Sequence, residues 1–181
     1  MIYQSEQQQL DSRAREIRLL LLDVDGVMTD GSLYVGDSGE ELKVFNSLDG
    51  HGIKLLQRAG VNVGIISGRN SLPLSWRANE LGIHLLFKGR EDKLCVLEQI
   101  AEEQCLPYEE IAYAGDDLPD LAVIDRVGLG ISVPNGHAEV KKRADLLTEK
   151  EGGRGAVREI CDFLLQARGA YDRLIKDSLG R

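Results

Sequence analysis

The run Leu19-Leu20-Leu21-Leu22, preceded by Ile17, is apolar on both faces and stops at Asp23-Val24-Asp25-Gly26. An apolar strand with no polar side is characteristic of a parallel sheet covered by helices on both faces. It ends in two carboxylates at i and i+2, which point the same way in extended backbone. Two such charges held close together are costly unless a cation or a shared proton neutralises them. Magnesium suits an all-oxygen site of this kind, and Gly26 permits a sharp turn that brings backbone amides toward an anion. Ligands of open α/β sheets bind just outside the carboxyl ends of the strands, so function is expected at this turn.

Three further segments repeat the pattern. Val61-Asn62-Val63-Gly64-Ile65-Ile66 reads as a strand and leaves through Ser67-Gly68-Arg69, a turn offering a hydroxyl and backbone amides. Ile111-Ala112-Tyr113-Ala114 leads into Gly115-Asp116-Asp117-Leu118-Pro119-Asp120, which places Asp116, Asp117 and Asp120 together after one glycine. Lys93 stands near the start of a helix expected to run to about Gln104. Taken singly, each has a plain structural reading: a capped turn, a loop dipeptide, a solvated acidic turn, a solvated lysine. Taken together at strand exits, they supply a nucleophile, an acid, anion donors and metal ligands.

Strands are expected at 17–23, 61–66, 84–87, 110–114 and 127–131, alternating with helices at 50–60, 71–81, 91–105, 117–124 and 136–143. That alternation predicts a doubly wound, Rossmann-like α/β fold with a parallel sheet. The gaps between the motifs leave no room for a separate cap domain. Ser32–Val35 and Glu41–Phe45 alternate about the turn formers 36–40, which predicts a protruding β-hairpin within 32–46. A ribbon of two strands is marginal alone, so Leu33, Val35, Leu42 and Val44 need a surface to cover them. Either their own domain or a neighbouring subunit supplies it, and the missing cap favours the neighbour. The segment 156–178 has helical periodicity broken at Gly169 and suits packing on either its own domain or a partner. Residues 1–16 are polar and are expected to be a frayed helix or a disordered lead-in to a single domain spanning 1–181.

Composition sets outer bounds. With 181 residues, 43% of them apolar, the chain can bury a substantial core as one domain. A net charge of −8 argues against nucleic acid and anionic membrane surfaces as partners. Cys95, Cys105 and Cys161 have no metal or redox spacing, so buried reduced thiols in a cytoplasmic protein are expected. No signal peptide or membrane-length apolar run is present. His51, His84 and His137 do not cluster, so zinc is not expected. Trp76 and Tyr113 read as packing residues.

The segments Asp23 to Asp30, Ile66-Ser67-Gly68-Arg69, Lys93 and Gly115 to Asp120 resemble the four motifs of the haloacid dehalogenase superfamily. The resemblance implies that Asp23 is the nucleophile and Asp25 the general acid and base. It implies that Ser67 and Lys93 grip the phosphoryl oxygens, and that Asp23, Asp116 and the backbone carbonyl of Asp25 hold magnesium. Asp117 and Asp120 are then expected one layer out, orienting Lys93 and metal-bound water. The same motifs, with Leu48 to Ile53, Arg77, Leu81-Gly82-Ile83 and Gly152 to Glu159, are similar to the 3-deoxy-D-manno-octulosonate 8-phosphate phosphatases. That family implies a capless, magnesium-dependent enzyme that forms tetramers through its hairpins and releases phosphate from an anionic sugar phosphate on the way to lipopolysaccharide. Phosphatases of nine-carbon ulosonate 9-phosphates share much of the pattern, and Lys88-Gly89 departs from the Gln-Gly expected of the octulosonate enzymes. Arg69 and Arg77, with the Gly68 turn, are expected to bind the substrate, since a guanidinium fork suits its carboxylate. The resemblance places Arg154 in a neighbour's site. Phosphomutases usually need a cap that this chain lacks, and the intact motifs speak against a non-catalytic oligomerisation module.

Overall fold

The computed structural model describes residues 1–4 and 6–180. Its main sheet runs in the order β1 (Ile2–Tyr3), β9 (Leu146–Leu147), β8 (Leu129–Ser132), β7 (Ile111–Ala114), β2 (Leu19–Leu22), β5 (Asn62–Ser67), β6 (Leu85–Lys88). All neighbours pair in parallel except β1, which runs antiparallel to β9 at the edge. The four leucines of β2 are fully buried between β5 and β7, as the two-sided apolar run requires. Leu20 and Leu22 face one apolar layer with Leu10, Ile53 and Ile160, while Leu19 and Leu21 face the other with Val96, Ile100 and Val123. The strand's period of two thus feeds two cores at once.

The first layer is built by α1 (Gln7–Glu16), α2 (Ser47–Arg58), α3 (Leu72–Glu80) and α7 (Ala156–Ala167). The second is built by α4 (Lys93–Gln104), α5 (Leu121–Ile124) and α6 (Ala138–Arg143). Helix α2 begins earlier than periodicity predicts because the Asn46 side chain accepts from the Leu48 amide at 2.8 Å, a local N-cap. The lead-in is neither frayed nor disordered where it is described: Ile2–Tyr3 form β1, Gln7–Glu16 form the helix α1, and Leu10 and Ala14 are fully buried against the core. Sparse apolar residues at helical spacing carry this contact, so polarity alone misled. Strand β9 was likewise not expected, being a two-residue pairing with no periodicity to read.

Helix α7 packs on its own domain through Val157, Ile160 and Leu164, and α8 (Tyr171–Ser178) follows after Gly169, which sits at φ +67°. Between Asp30 and Ser67 lie only the hairpin strands β3 (Tyr34–Val35) and β4 (Glu41–Leu42), then α2 and β5. The hairpin's apolar residues remain open on this chain, with Leu33, Val35, Leu42 and Val44 each more than half exposed. Among the described residues no helix is long and apolar enough to cross a membrane.

Candidate active site

Register brings the strand exits to one edge. Leu22 of β2 lies opposite Ile65 and Ala114, so the chain leaves β2, β5 and β7 at a common level. The Asp23 amide donates to the Ala114 carbonyl at 2.9 Å, which extends the ladder by one residue and fixes the base of the first carboxylate.

Helix α4 starts with Lys93 at this edge. Its Nζ lies 2.9 Å from Asp23 Oδ1 and 2.6 Å from Asp120 Oδ1, and the lysine is almost wholly buried. Asp120, fully buried, is saturated with donors: Lys93 and the Tyr113 hydroxyl on Oδ1, and the amides of Asp116 and Asp117 on Oδ2 at 2.9 and 3.0 Å. The turn Leu118–Asp120 explains this placement. Asp117 accepts from Leu118 N at 2.8 Å while Asp120 accepts from Asp117 N, a reciprocal cap that swings the Asp120 carboxylate back under the strand end. Tyr113, expected as packing, is therefore also a hydrogen-bond donor to the site. Asp117 spends its carboxylate on the cap and leaves the orientation of Lys93 to Asp120.

Carboxylate oxygens of Asp23, Asp116 and Asp120 lie within 4.8 Å of one another. Burial and the charge of Asp120 push Asp23 up to about 6, against the pull of Lys93. Burial and the charges of Asp23 and Asp120 push Asp116 up to about 8. One ammonium faces three carboxylates, and Asp116 Oδ1 is buried with no hydrogen-bond partner among the described residues. A hard divalent cation with oxygen ligands fits this arrangement: it would satisfy the orphaned oxygen and the excess negative charge, with Asp23 and Asp116 as ligands. Asp120, its lone pairs already taken, is the poorer ligand.

The turn after Asp25 is shaped to admit Asp116. Gly26 sits at φ +95°, and a Cβ there would lie 2.1 Å from Asp116 Oδ2. Behind it, the Gly26 carbonyl accepts from Asn135 Nδ2 at 2.9 Å, and Asn135 Oδ1 accepts from the Gly152 amide at 2.8 Å. A Cβ on Gly152 would lie 1.7 Å from Gly26 O, so the glycine-rich loop 152–155 is pressed onto the first turn.

Asp25 is gripped on Oδ1 by Lys43, and Arg69 Nε stands 3.8 Å from its Oδ2. Ser67, buried, accepts from the Arg69 amide at 3.2 Å. A cleft of ≈ 740 Å³ joins Asp23, Asp25, Ser67, Gly68, Arg69, Lys93, Asp116, Asp117 and Asp120. Two predicted residues are not brought there. Arg77 donates to Asn46 O at 3.2 Å and Glu80 at 2.7 Å, with its guanidinium 5.9 Å from the Phe45 ring. Arg154 is exposed, 3.7 Å from Asp30. Sequence reasoning missed Tyr113, Asn135, Lys43 and Glu41; only the alternation of the hairpin hinted that Glu41 and Lys43 share an inward face.

A sheet-end cluster of this kind on this topology defines a hydrolase of the haloacid dehalogenase class, and the haloacid dehalogenase-like hydrolase family profile matches residues 80–160. The chain is 45% identical over 161 residues to the 3-deoxy-D-manno-octulosonate 8-phosphate phosphatase KdsC of Escherichia coli K12, covering 89% of this chain and 86% of that protein. The Yersinia pestis KdsC is 50% identical over 157 residues, covering 86% and 83%. The crystal structure of the Moraxella catarrhalis phosphatase of the same name, in complex with magnesium ion, phosphate ion and KDO, superposes with a TM-score of 0.93 at 38% identity, covering 95% of this chain and 99% of that one. The chain belongs to the 3-deoxy-D-manno-octulosonate 8-phosphate phosphatase family, and it is a phosphatase.

Proposed function

We propose that this protein hydrolyses 3-deoxy-D-manno-octulosonate 8-phosphate to KDO and phosphate, with magnesium as cofactor, in the supply of the lipopolysaccharide sugar. The observation that carries the reading is the seating of Lys93 between Asp23 and Asp120 beside the orphaned oxygen of Asp116, on the framework shared with KdsC relatives.

In this mechanism an Asp23 oxygen attacks phosphorus in line, and the bond from phosphorus to the sugar oxygen breaks as Asp25 delivers a proton to that oxygen. The product on the enzyme is an aspartyl phosphate. Water then attacks the same phosphorus, its proton passes to Asp25, and the Asp23 carboxylate departs. Lys93 and Ser67 hold the non-bridging oxygens, where charge gathers in the transition state. Asp23, Asp116 and the Asp25 carbonyl would hold magnesium, whose positive charge would offset repulsion between carboxylate and phosphate. Asp120 keeps Lys93 in place, and Asp117 keeps the turn that carries Asp120.

Gly68 and Arg69 line the cleft and are assigned to the substrate. Arg77 and Arg154 lie off their own cleft, so they would meet a sugar only across a subunit contact. A homotetramer joined through the exposed apolar hairpins is part of this reading, with 1–181 as one domain. So is a cytoplasmic location; of the three cysteines expected as buried thiols only Cys161 is buried, while Cys95 and Cys105 are exposed. The test is magnesium-dependent phosphate release from the octulosonate 8-phosphate and a nonulosonate 9-phosphate side by side, with Asp23→Asn as blank. Preference in kcat/KM for the eight-carbon substrate supports the proposal; preference for the nine-carbon substrate moves the pathway, and release from neither removes the ulosonate assignment. Sedimentation of the native chain and Leu42→Asp tests the tetramer.

A further inference from the structure

The hairpin has two faces of opposite character. Along residues 41–44, strand β4 and the two residues after it, exposure alternates: Leu42 and Val44 face out, while Glu41 and Lys43 face in, with their side chains 18% and 2% exposed. The inward face is applied to the active site. Lys43 Nζ contacts Asp25 Oδ1 and stands 3.2 Å from Glu41 Oε1, and Arg69 stands 3.5 Å from that same oxygen and 3.8 Å from Asp25 Oδ2. Two carboxyl groups and two basic side chains thus alternate in a closed ring. Burial pushes the Glu41 carboxyl up, but the Ser71 hydroxyl, Lys43 and Arg69 outweigh it and hold the group below its usual range. Glu41 Oε1, buried and without a hydrogen bond among the described residues, backs Lys43 at ion-pair distance.

We propose that Lys43 is a positioning residue for Asp25: the ring fixes the carboxyl rotamer so that one oxygen is held by the hairpin and the other is presented to the leaving oxygen of the substrate. The proposal rests on the reading of Asp25 as the acid. A buried lysine this close to a carboxyl is costly to keep unless the pair is well satisfied, and its removal leaves Asp25 and Glu41 facing each other with a single cation. Asp25 then loses the constraint that aims it, while Asp23, Lys93, Asp116 and Asp120 keep every contact described above. The hairpin, which looks like an appendage for assembly, becomes a part of the proton-transfer machinery.

Leaving-group chemistry separates this role from a merely structural one. A sugar alkoxide cannot leave without a proton, whereas para-nitrophenolate leaves readily without one. The experiment measures kcat/KM, which reports the first phosphoryl transfer, for 3-deoxy-D-manno-octulosonate 8-phosphate and for para-nitrophenyl phosphate. It uses the full chain with magnesium, for the native protein, Lys43→Met, Lys43→Arg and Asp25→Asn. A positioned acid contributes about 100-fold to 10,000-fold, so Lys43→Met is expected to lose about 30-fold on the sugar phosphate and less than about 3-fold on the aryl phosphate, with Lys43→Arg recovering most of the difference. Lys43→Gln replaces Lys43→Met if the latter yields little folded protein. Equal losses on both substrates, or no loss on either, overturn the proposal. Selectivity in Asp25→Asn but not at position 43 overturns it alone; absence of selectivity in both also removes Asp25 as the acid.

Discussion

Replacing Tyr113 by Phe removes one oxygen from the floor of the site and nothing else. The ring is wholly buried on β7, and its hydroxyl donates to Asp120 Oδ1 at 2.6 Å. Burial first, then the charges of Asp120 and Asp23, hold the phenol far above its usual range, so it remains a donor at any working pH. A neutral hydrogen bond contributes about 1 kcal/mol net, but one to a buried charge contributes about 1.5–3 kcal/mol. Asp120 keeps Lys93 and two amides, which cushions the loss, so we expect Tyr113→Phe to destabilise by about 2 kcal/mol. For a chain of this length that corresponds to a fall of about 6 °C in Tm. Urea unfolding at fixed pH measures it, with the midpoint falling and the slope unchanged. Because Lys93 retains Asp23 and Asp120, kcat should stay within about 3-fold of native, the hydroxyl being one layer removed from the phosphate. A destabilisation below about 0.5 kcal/mol would refute the reasoning, since it would mean that the buried Asp120 charge does not rely on the phenol.

Gly26→Ala places a methyl group 2.1 Å from Asp116 Oδ2 at a backbone angle hostile to side chains. Native protein saturated a hundredfold with magnesium should gain about 2.7 kcal/mol, and calorimetric titration of the variant should show this binding weakened by at least about tenfold. Gly152→Ala should cost about 2 kcal/mol or more in unfolding free energy, because its methyl would meet the Gly26 carbonyl, backbone against backbone. Asp49 gives a pH signature outside the carboxylate cluster. It accepts from the Arg158 amide at 2.8 Å, but burial raises it from 3.8 to about 6, so the folded state holds its proton more tightly than the unfolded state does. Its stabilising contribution is full below 3.8 and disappears as pH rises through 6, a loss of about 3 kcal/mol. The difference in unfolding free energy between native and Asp49→Asn should change by that amount across the window; parallel curves would exclude it.

The central strand and its two carboxylates were legible because Leu19 to Leu22 admit no solvent on either side and Asp23 and Asp25 cannot continue such a strand. The same logic located the exits at Ser67 and Asp116. What escaped was everything held by contacts distant in sequence. Residues 1–16 look polar, yet Leu10 and Ala14 anchor them. Tyr113 is one aromatic among buried neighbours until the reciprocal cap at Asp117 turns Asp120 back beneath it. Arg77 has the right charge and spacing for a sugar carboxylate, but α3 directs it to Asn46 and Glu80.

Sequence by itself determined the doubly wound sheet, which strand exits carry the site, and the presence there of Asp23, Asp25, Ser67, Lys93, Asp116 and Asp120, because those depend on local periodicity and on turn chemistry. Tertiary structure alone decided which oxygens are satisfied. Asp120 is filled by four donors and Asp116 Oδ1 by none among the described residues, Lys43 meets Asp25, and Gly152 braces Gly26. These contacts join segments up to a hundred residues apart or more, and a carboxylate's partners are set by distance and angle in space, which no spacing along the chain encodes.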